Sequence, residues 1–354
     1  MNNQLVKRCK RCYLPSNYAG ISFNEEGVCN YCQKEKDEHQ YAGIDALRND
    51  INKILSKNCK RPYDCAVAFS GGRDSSYLLY FAKEVLGLKV LAVTLMHDFV
   101  TPEAEENIKH FVKTLDVELH IINNSILNET SRSNLRCWSK KPDAAMCMTF
   151  CTGCRYGILN MVPDYVKKQG IPLLLDGDTP NEQADYRTNL FCDSKTPTTA
   201  NKLFGYAKRL LNNPSYIFNT KAFYYQIIEF FSWRNKQNNR SKMHLIKPFY
   251  YIEYDEEVVV SKIKELGWKY DQSFQSTWRA DCYVNVLRQY FYKRFLGYND
   301  LDYYYSKLLR RNNIQLSEVV ELIRLQGDYD ENLVRTVLKR FYDIDYDEIM
   351  NKIE

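Results

Sequence analysis

Hydrophobic and polar positions change period along this chain. Short, mostly apolar runs at Ala66–Phe69, Lys89–Leu95, Glu118–Ile122 and Gly170–Asp178 read as strands. Apolar residues three to four apart predict a helix over Tyr41–Lys57, where Ile44, Leu47, Ile51 and Ile54–Leu55 share one face. The same spacing predicts helices over Ser76–Lys83 and Ala104–Leu115. This alternation predicts an α/β fold, a doubly wound parallel sheet that binds ligands outside the carboxyl ends of its strands. Beyond Glu253 the pattern is mainly helical, over Glu256–Leu266, Gln315–Leu325 and Glu331–Tyr342, with Gly267, Gly297 and Gly327 as breaks. No apolar run approaches the roughly 18 residues that a membrane-crossing helix needs.

Composition changes this picture little. A chain of 354 residues, 45% hydrophobic and 26% charged, is an ordinary globular sequence with room for two or three domains. Its division is expected to be 1–40, a small cysteine module; 41–200, the α/β domain; and 201–354, a basic, aromatic segment and the helical region. Met1–Leu5 runs straight into a polar Cys pair without the apolar core of a signal peptide, so the protein is expected to be cytoplasmic. In such a setting the 12 cysteines read as metal or catalytic thiols rather than disulfides.

Charge is unevenly spread. The net charge is +5, and residues 201–247 hold nine Lys/Arg against one acid, Glu229. Phe204, Tyr206, Tyr216, Phe218, Phe223, Tyr224, Tyr225, Phe230, Phe231 and Trp233 lie among them. Such a segment grips RNA, an anionic nucleotide-sugar or a partner protein, or else is a helical region with a basic outer face and an aromatic inner one.

The chemistry begins at Ser70-Gly71-Gly72-Arg73-Asp74-Ser75, between the first strand and the helix that follows. This arrangement aims backbone N–H groups and the positive end of a helix at one point, and two glycines let an anion approach closely. Without that context the hexapeptide would be an ordinary hydroxyl-rich helix cap. It is not a Walker loop, because no Gly-Lys-Ser/Thr follows. Two further strand ends, His97–Asp98 and Gly177–Asp178, converge on it.

The hexapeptide resembles the SGGxDS loop of the N-type ATP pyrophosphatases, whose fold is the adenine nucleotide alpha hydrolase-like sheet. That resemblance implies ATP as cofactor and an adenylated substrate. Ser70, Gly71, Gly72, Asp74 and Ser75 would hold pyrophosphate, Asp74 would act through Mg²⁺, and Arg73 would add positive charge. It also implies that Leu95 and Met96 flank adenine, while Gly177 and Asp178 face the triphosphate, with Ser70, Asp74 and Asp178 catalytic. Asp98, Asp178 and Asn181 read equally well as helix caps.

Two cysteine sets stand out. Cys9-x2-Cys12 and Cys29-x2-Cys32 have the form of a four-thiolate zinc ribbon, with Gly20–Asn24 as one of its strands. Cys147, Cys151 and Cys154 precede the helical stretch Arg155–Met161. They read as an iron–sulfur or zinc site completed by Cys137, Cys192 or Cys282, as a persulfide carrier, or as unligated structural thiols.

Two family resemblances follow. Cys9–Pro15, Gly20–Cys32, Lys247–Tyr251, Lys264–Trp268, Phe295–Asn299, Tyr303–Ser306 and Leu309–Arg311 resemble the N-acetyl sugar amidotransferases of bacterial surface-glycan pathways. Membership would imply an AMP- and pyrophosphate-forming ligase. It would adenylate the amide oxygen of an N-acetylated sugar or nucleotide-sugar and make an amidine with ammonia from a separate glutaminase partner. No Cys follows Met1 to serve as an intrinsic glutaminase nucleophile. Cys151–Gly157 and Asp176–Glu182 resemble the tRNA 2-thiolation enzymes, which often carry an iron–sulfur cluster. That alternative implies sulfur transfer to tRNA or a small molecule through Cys151 and Cys154.

Overall fold

The computed structural model describes residues 6–34, 41–57, 61–182, 186–192, 198–225, 227, 243–274, 276–311, 314–326 and 329–353. Five strands form one sheet: β1 (Cys65–Ala68), β2 (Val90–Met96), β3 (Glu118–Asn123), β4 (Leu173–Leu175) and β5 (His244–Ile246). Their order is β3-β2-β1-β4-β5 and every pairing is parallel, with Val67 opposite Ala92 on one side and Leu175 on the other. The order reverses direction between β1 and β4. That is the switch point at which such sheets bind ligands.

Side-chain alternation decides the layers. Cys65, Val67, Ala92, Leu173 and Leu175 face helices α1 (Gly43–Leu55), α2 (Arg73–Tyr80) and α3 (Pro102–Thr114). Ala66, Leu91, Val93 and Leu174 face the opposite way, towards Val162 and Val166 of a helix over Val162–Lys168. Both faces are therefore covered, which is why the strands read as continuous apolar runs. Thr101 caps α3 by accepting from the Ala104 N–H at 3.3 Å, with Pro102 in the first helical turn.

The four expected strands are all present: the first two are shifted by one residue, the third runs one residue longer, and the fourth shrinks to Leu173–Leu175. β5 was not anticipated. The expected ribbon strand Gly20–Asn24 reduces to a single bridge, Phe23 with Cys29. Helix α4 (Ser125–Trp138) packs with α8 (Tyr283–Leu296), α11 (Glu331–Tyr342) and α12 (Tyr346–Ile353) around Trp138, Phe150, Phe291 and Leu338. Between them in sequence lie α5 (Val162–Lys168), α6 (Thr199–Asn212), α7 (Glu256–Glu265), α9 (Asp300–Arg310) and α10 (Leu316–Gln326). Phe230, Phe231, Trp233 and the basic residues Arg234, Lys236, Arg240 and Lys242 fall outside the described residues.

The N-terminal module leans on the far end of the chain. Tyr18 lies 4.9 Å from Tyr298 and 5.9 Å from Tyr303 between ring centroids. Arg8 pairs with Asp302 at 3.2 Å, and Asn17 donates to the Leu296 carbonyl. Asn299 and Asp302 cap α9 reciprocally, which fixes the chain's entry into that helix.

Candidate active site

Ser70–Ser75 forms a tight turn from β1 into α2. Gly71 has φ +74°, and a Cβ there would lie 2.3 Å from the Ala104 carbonyl oxygen, so only glycine fits. Its own carbonyl accepts from Asn107 Nδ2 and Trp268 Nε1, both at 3.0 Å. The Ser70 and Ser75 hydroxyls lie 3.1 Å apart, and the Gly72 N–H donates to Ser70 Oγ at 3.3 Å. The loop is thus braced from behind, with its hydroxyls gathered at the amino end of α2, where an anion is favoured.

Arg73 turns the other way. Its guanidinium is buried, donating to Asp74 at 2.8 Å and Thr277 at 3.2 Å and pairing with Glu256 at 2.5 Å. The positive charge expected at phosphate is therefore placed beneath the loop, where it holds α7 against α2. Asp74 also accepts from the Tyr254 hydroxyl. Gly177 crosses the first turn of α2, where an added Cβ would come 3.4 Å from the Asp74 carbonyl oxygen.

The loop after β4 is held by cations. Asp178 pairs with Lys247, Lys307 donates to the Pro180 carbonyl at 2.6 Å, and Arg311 donates to Asn181 at 2.5 Å. Glu182 accepts from Trp278 Nε1 at 3.0 Å and from Arg279 at 3.2 Å. Burial raises the Glu182 carboxyl above its ordinary value, with Arg279 opposing and Asp74 and Asp178 adding to the rise. Leu95 and Met96 point to opposite sheet faces, Leu95 against Gly157 and the α5 side, Met96 towards the α1–α3 side.

Beside this loop the structure gathers three thiols from distant places. The chain beyond β2 pairs antiparallel with the segment before α8: Val100 bridges Cys282, Thr101 N–H donates to the Asp281 carbonyl at 3.1 Å, and Tyr283 N–H donates to the Phe99 carbonyl at 2.9 Å. This clasp sets Asp281 against the phosphate loop, 3.0 Å from where a Gly72 Cβ would stand. It also brings Cys282 near Cys151 and Cys154. Burial first, then the charges of Cys151 and Asp281, push the Cys154 thiol up to about 12, and the same causes raise Cys282. Arg288, buried on α8 and held by Asn285 and Asp300, donates to Cys151 Sγ at 3.4 Å.

Cys147 goes elsewhere, fully buried among Trp138 and Phe150 with its thiol on the Asp143 carbonyl. His97, at the end of β2, is largely buried with Nδ1 unpartnered among the described residues. Desolvation lowers its pKa against the pull of Asp281 and Asp98, so it is neutral at pH 7. Neither Asp281 nor Arg288 had a spacing signal in the sequence, because each is placed by a contact between remote segments.

A second cysteine set lies apart from this cleft. Cys9, Cys12, Cys29 and Cys32 are buried, with all four sulfurs within 4.8 Å of one another, and no disulfide joins them. Among the described residues this is the one group compact enough to surround a single ion. Hydrogen bonds from Cys29 and then Cys32 hold the Cys12 thiol well below its ordinary value. Cys151, Cys154 and Cys282 act on one another's charge but do not meet that spacing.

Comparison with known proteins agrees with the loop. The chain is 34% identical over 83 residues to an uncharacterized protein of Methanocaldococcus jannaschii, covering 23% of this chain and 30% of that one. It therefore spans under a third of the length of the curated relative it matches. Among solved structures it is similar to the U34-tRNA thiolase NcsA of Methanococcus maripaludis with its 4Fe–4S cluster, at 17% identity and TM-score 0.35, covering 96% of this chain and 90% of that one. It is also similar to an NMN synthetase of Francisella tularensis, at 14% identity and TM-score 0.30, covering 57% and 96%. An NH3-dependent NAD synthetase of Campylobacter jejuni follows, at 13% identity and TM-score 0.29, covering 56% and 95%. A family model for the PP-loop domain matches residues 45–293, so the chain belongs to the ATP-utilising PP-loop domain family.

Proposed function

We propose that the protein adenylates an oxygen of its substrate with ATP, and that a sulfur nucleophile delivered at Cys151, Cys154 and Cys282 then displaces AMP. One observation carries this reading: Asp281, next to Cys282, abuts Gly72 of the phosphate loop and also acts on Cys154. In the first step the substrate oxygen attacks the α-phosphorus and the bond to the β-phosphate oxygen breaks. Pyrophosphate leaves into Ser70, Gly71, Gly72 and Ser75, with Mg²⁺ carried by Asp74 and Asp178. In the second step hydrosulfide from an external donor attacks the activated carbon, and the carbon–oxygen bond to AMP breaks. An iron–sulfur cluster on the three thiolates would supply an iron position for the incoming sulfur. Arg288 supports the thiolate of Cys151 by hydrogen bonding. The acceptor class is tRNA or a small molecule, and the Cys9–Cys32 group takes a structural zinc.

A second reading is amidation of an N-acetylated sugar or nucleotide-sugar with ammonia from a glutaminase partner. It is favoured by the amidotransferase-like segments from both ends of the chain, which pack as one unit through Tyr18, Tyr298 and Tyr303. Those contacts build scaffold, whereas the thiols stand at the loop, so sulfur transfer is the stronger reading.

Anaerobic purification with iron, zinc and sulfide analysis tests the choice. Sulfur transfer requires a brown protein whose visible absorbance is lost in Cys282→Ser and kept in Cys147→Ser. A colourless zinc protein that releases pyrophosphate with an N-acetylated sugar and ammonia would overturn it. In either reading Ser70→Ala should abolish pyrophosphate release without unfolding the chain.

A further inference from the structure

The stretch from Thr277 to Asp281 is tied to the phosphate loop at both ends. Thr277 Oγ1 accepts from Arg73 at 3.2 Å, and the Asp281 carboxylate comes 3.0 Å from where a Gly72 Cβ would stand. Trp278, Arg279 and Ala280 are thereby tethered on two sides to the start of α2. The same stretch meets the loop after β4, where Glu182 accepts from Trp278 Nε1 at 3.0 Å and from Arg279 Nη2 at 3.2 Å. Arg279 therefore stands between two loops at the ligand-binding end of the sheet, and its charge also acts on Cys154.

The backbone at this point is costly. Arg279 has φ +50°, in the left-handed region that residues other than Gly, Asn and Asp seldom adopt. Such strain persists only where the surroundings enforce it. Here the Thr101 hydroxyl donates to the Ala280 carbonyl at 3.2 Å and the Thr101 N–H to the Asp281 carbonyl at 3.1 Å. Glycine would take this conformation freely, so the backbone gives no reason for an arginine. The reason lies in the side chain.

The neighbouring cations are committed elsewhere. Arg73 is buried between Asp74 and Glu256, and Lys247 pairs with Asp178. Lys307 holds the Pro180 carbonyl and Arg311 the Asn181 side chain. Arg279 rests 5.0 Å from the Trp278 ring and shares Glu182 with that residue. Its side chain is 36% exposed, and among the described residues Nη2 is the one nitrogen that meets an acceptor. An ion pair open to water on one side is weakly held. A guanidinium with spare donors matches the paired oxygens of a phosphate.

We propose that Arg279 binds the α-phosphate of ATP and keeps hold of it in the adenylated substrate and in AMP, leaving Ser70–Ser75 to the pyrophosphate. This rests on the adenylation step proposed above and is common to sulfur and ammonia as nucleophile. Glu182 is the acid that holds Arg279 in place until a phosphate competes for it.

Calorimetric titration of the full-length chain with adenosine, AMP and magnesium pyrophosphate tests this. The parent should bind AMP more tightly than adenosine. Arg279→Gln should lose about tenfold of that preference while pyrophosphate affinity is kept, and Arg279→Lys should restore part of it. A preference unchanged in Arg279→Gln, or absent from the parent, would overturn the proposal. Should Arg279→Gln fail to fold, Glu182→Gln decides. Freeing Arg279 from its acid should raise the preference for AMP, and an equal or lower preference would make the pair a scaffold and overturn the proposal. A parent that binds neither pyrophosphate nor AMP would instead remove the adenylation step itself, and this inference with it.

Discussion

Asp300 shows how much can hang on one carboxylate. It is fully buried, and it accepts from Tyr186 at 2.5 Å, from Arg187 at 2.6 and 2.8 Å, from Gln289 at 2.6 Å and from Arg288 at 3.3 Å. Burial alone would raise its pKa, but the charges of Arg187 and Arg288 overcome it and hold the carboxyl well below the ordinary range. A depressed folded-state pKa contributes stability that is complete above the ordinary aspartate value of ~3.9 and is lost as pH falls below it. Asp300→Asn would strand the buried guanidinium of Arg288 and the half-buried one of Arg187, and urea unfolding at neutral pH should show a loss of about 3 kcal/mol. The variant should also show a shallower fall in stability on acidification. An unchanged midpoint with an unchanged acid limb would mean that the network carries no weight. Because Arg288 also reaches Cys151, the sulfur-transfer proposal expects the same substitution to lower the iron content of anaerobically purified protein.

At the scale of elements, the decisive joint is the clasp between the end of β2 and the start of α8. Thr101 serves both sides of it: its hydroxyl caps α3 and donates to the Ala280 carbonyl at 3.2 Å, while its N–H holds Asp281. Thr101→Val keeps the shape and the N–H but removes the hydroxyl. A loss of about 1 kcal/mol is expected from the cap alone. A simple cap would stop there. If the hydroxyl also seats Cys282, anaerobically purified Thr101→Val should carry less iron per chain than the parent, and normal loading would reduce Thr101 to a helix cap.

The whole molecule closes on itself through its N-terminal module. Four converging thiols organise a segment too short to own a core, and Tyr18 then sits among Tyr186, Tyr298 and Tyr303. With the structural zinc proposed for these thiols, a strong chelator should therefore lower the melting temperature of the whole chain as well as release residues 6–34. A melt that separates into an unchanged main transition and a detached module would contradict the packing. Much of this plan was legible in the residues. The paired CxxC spacing marked the module, and Ser70–Ser75 between an apolar run and a helix marked the loop. Other features had no local signature. β5 is three residues long beside a basic stretch, so no period reveals it. Arg73 points inward because Glu256 and Thr277 arrive from far along the chain to receive it. Cys282 stands alone in sequence, and only the tertiary pairing of its segment with Phe99–Thr101 sets it beside the Asp281 that abuts the phosphate loop.

The clasp also imposes an order in time. Thr101 and Ala280 are 179 positions apart, so their contact cannot form until most of the chain has been synthesised. A nascent polypeptide exposes Cys151 and Cys154 as an ordinary thiol pair, without Cys282 and without the α8 wall that buries them. During that interval oxidants and stray ions reach them freely. The three thiols accordingly come together only late in synthesis, once residue 282 has emerged, and any centre they hold must be built after that point.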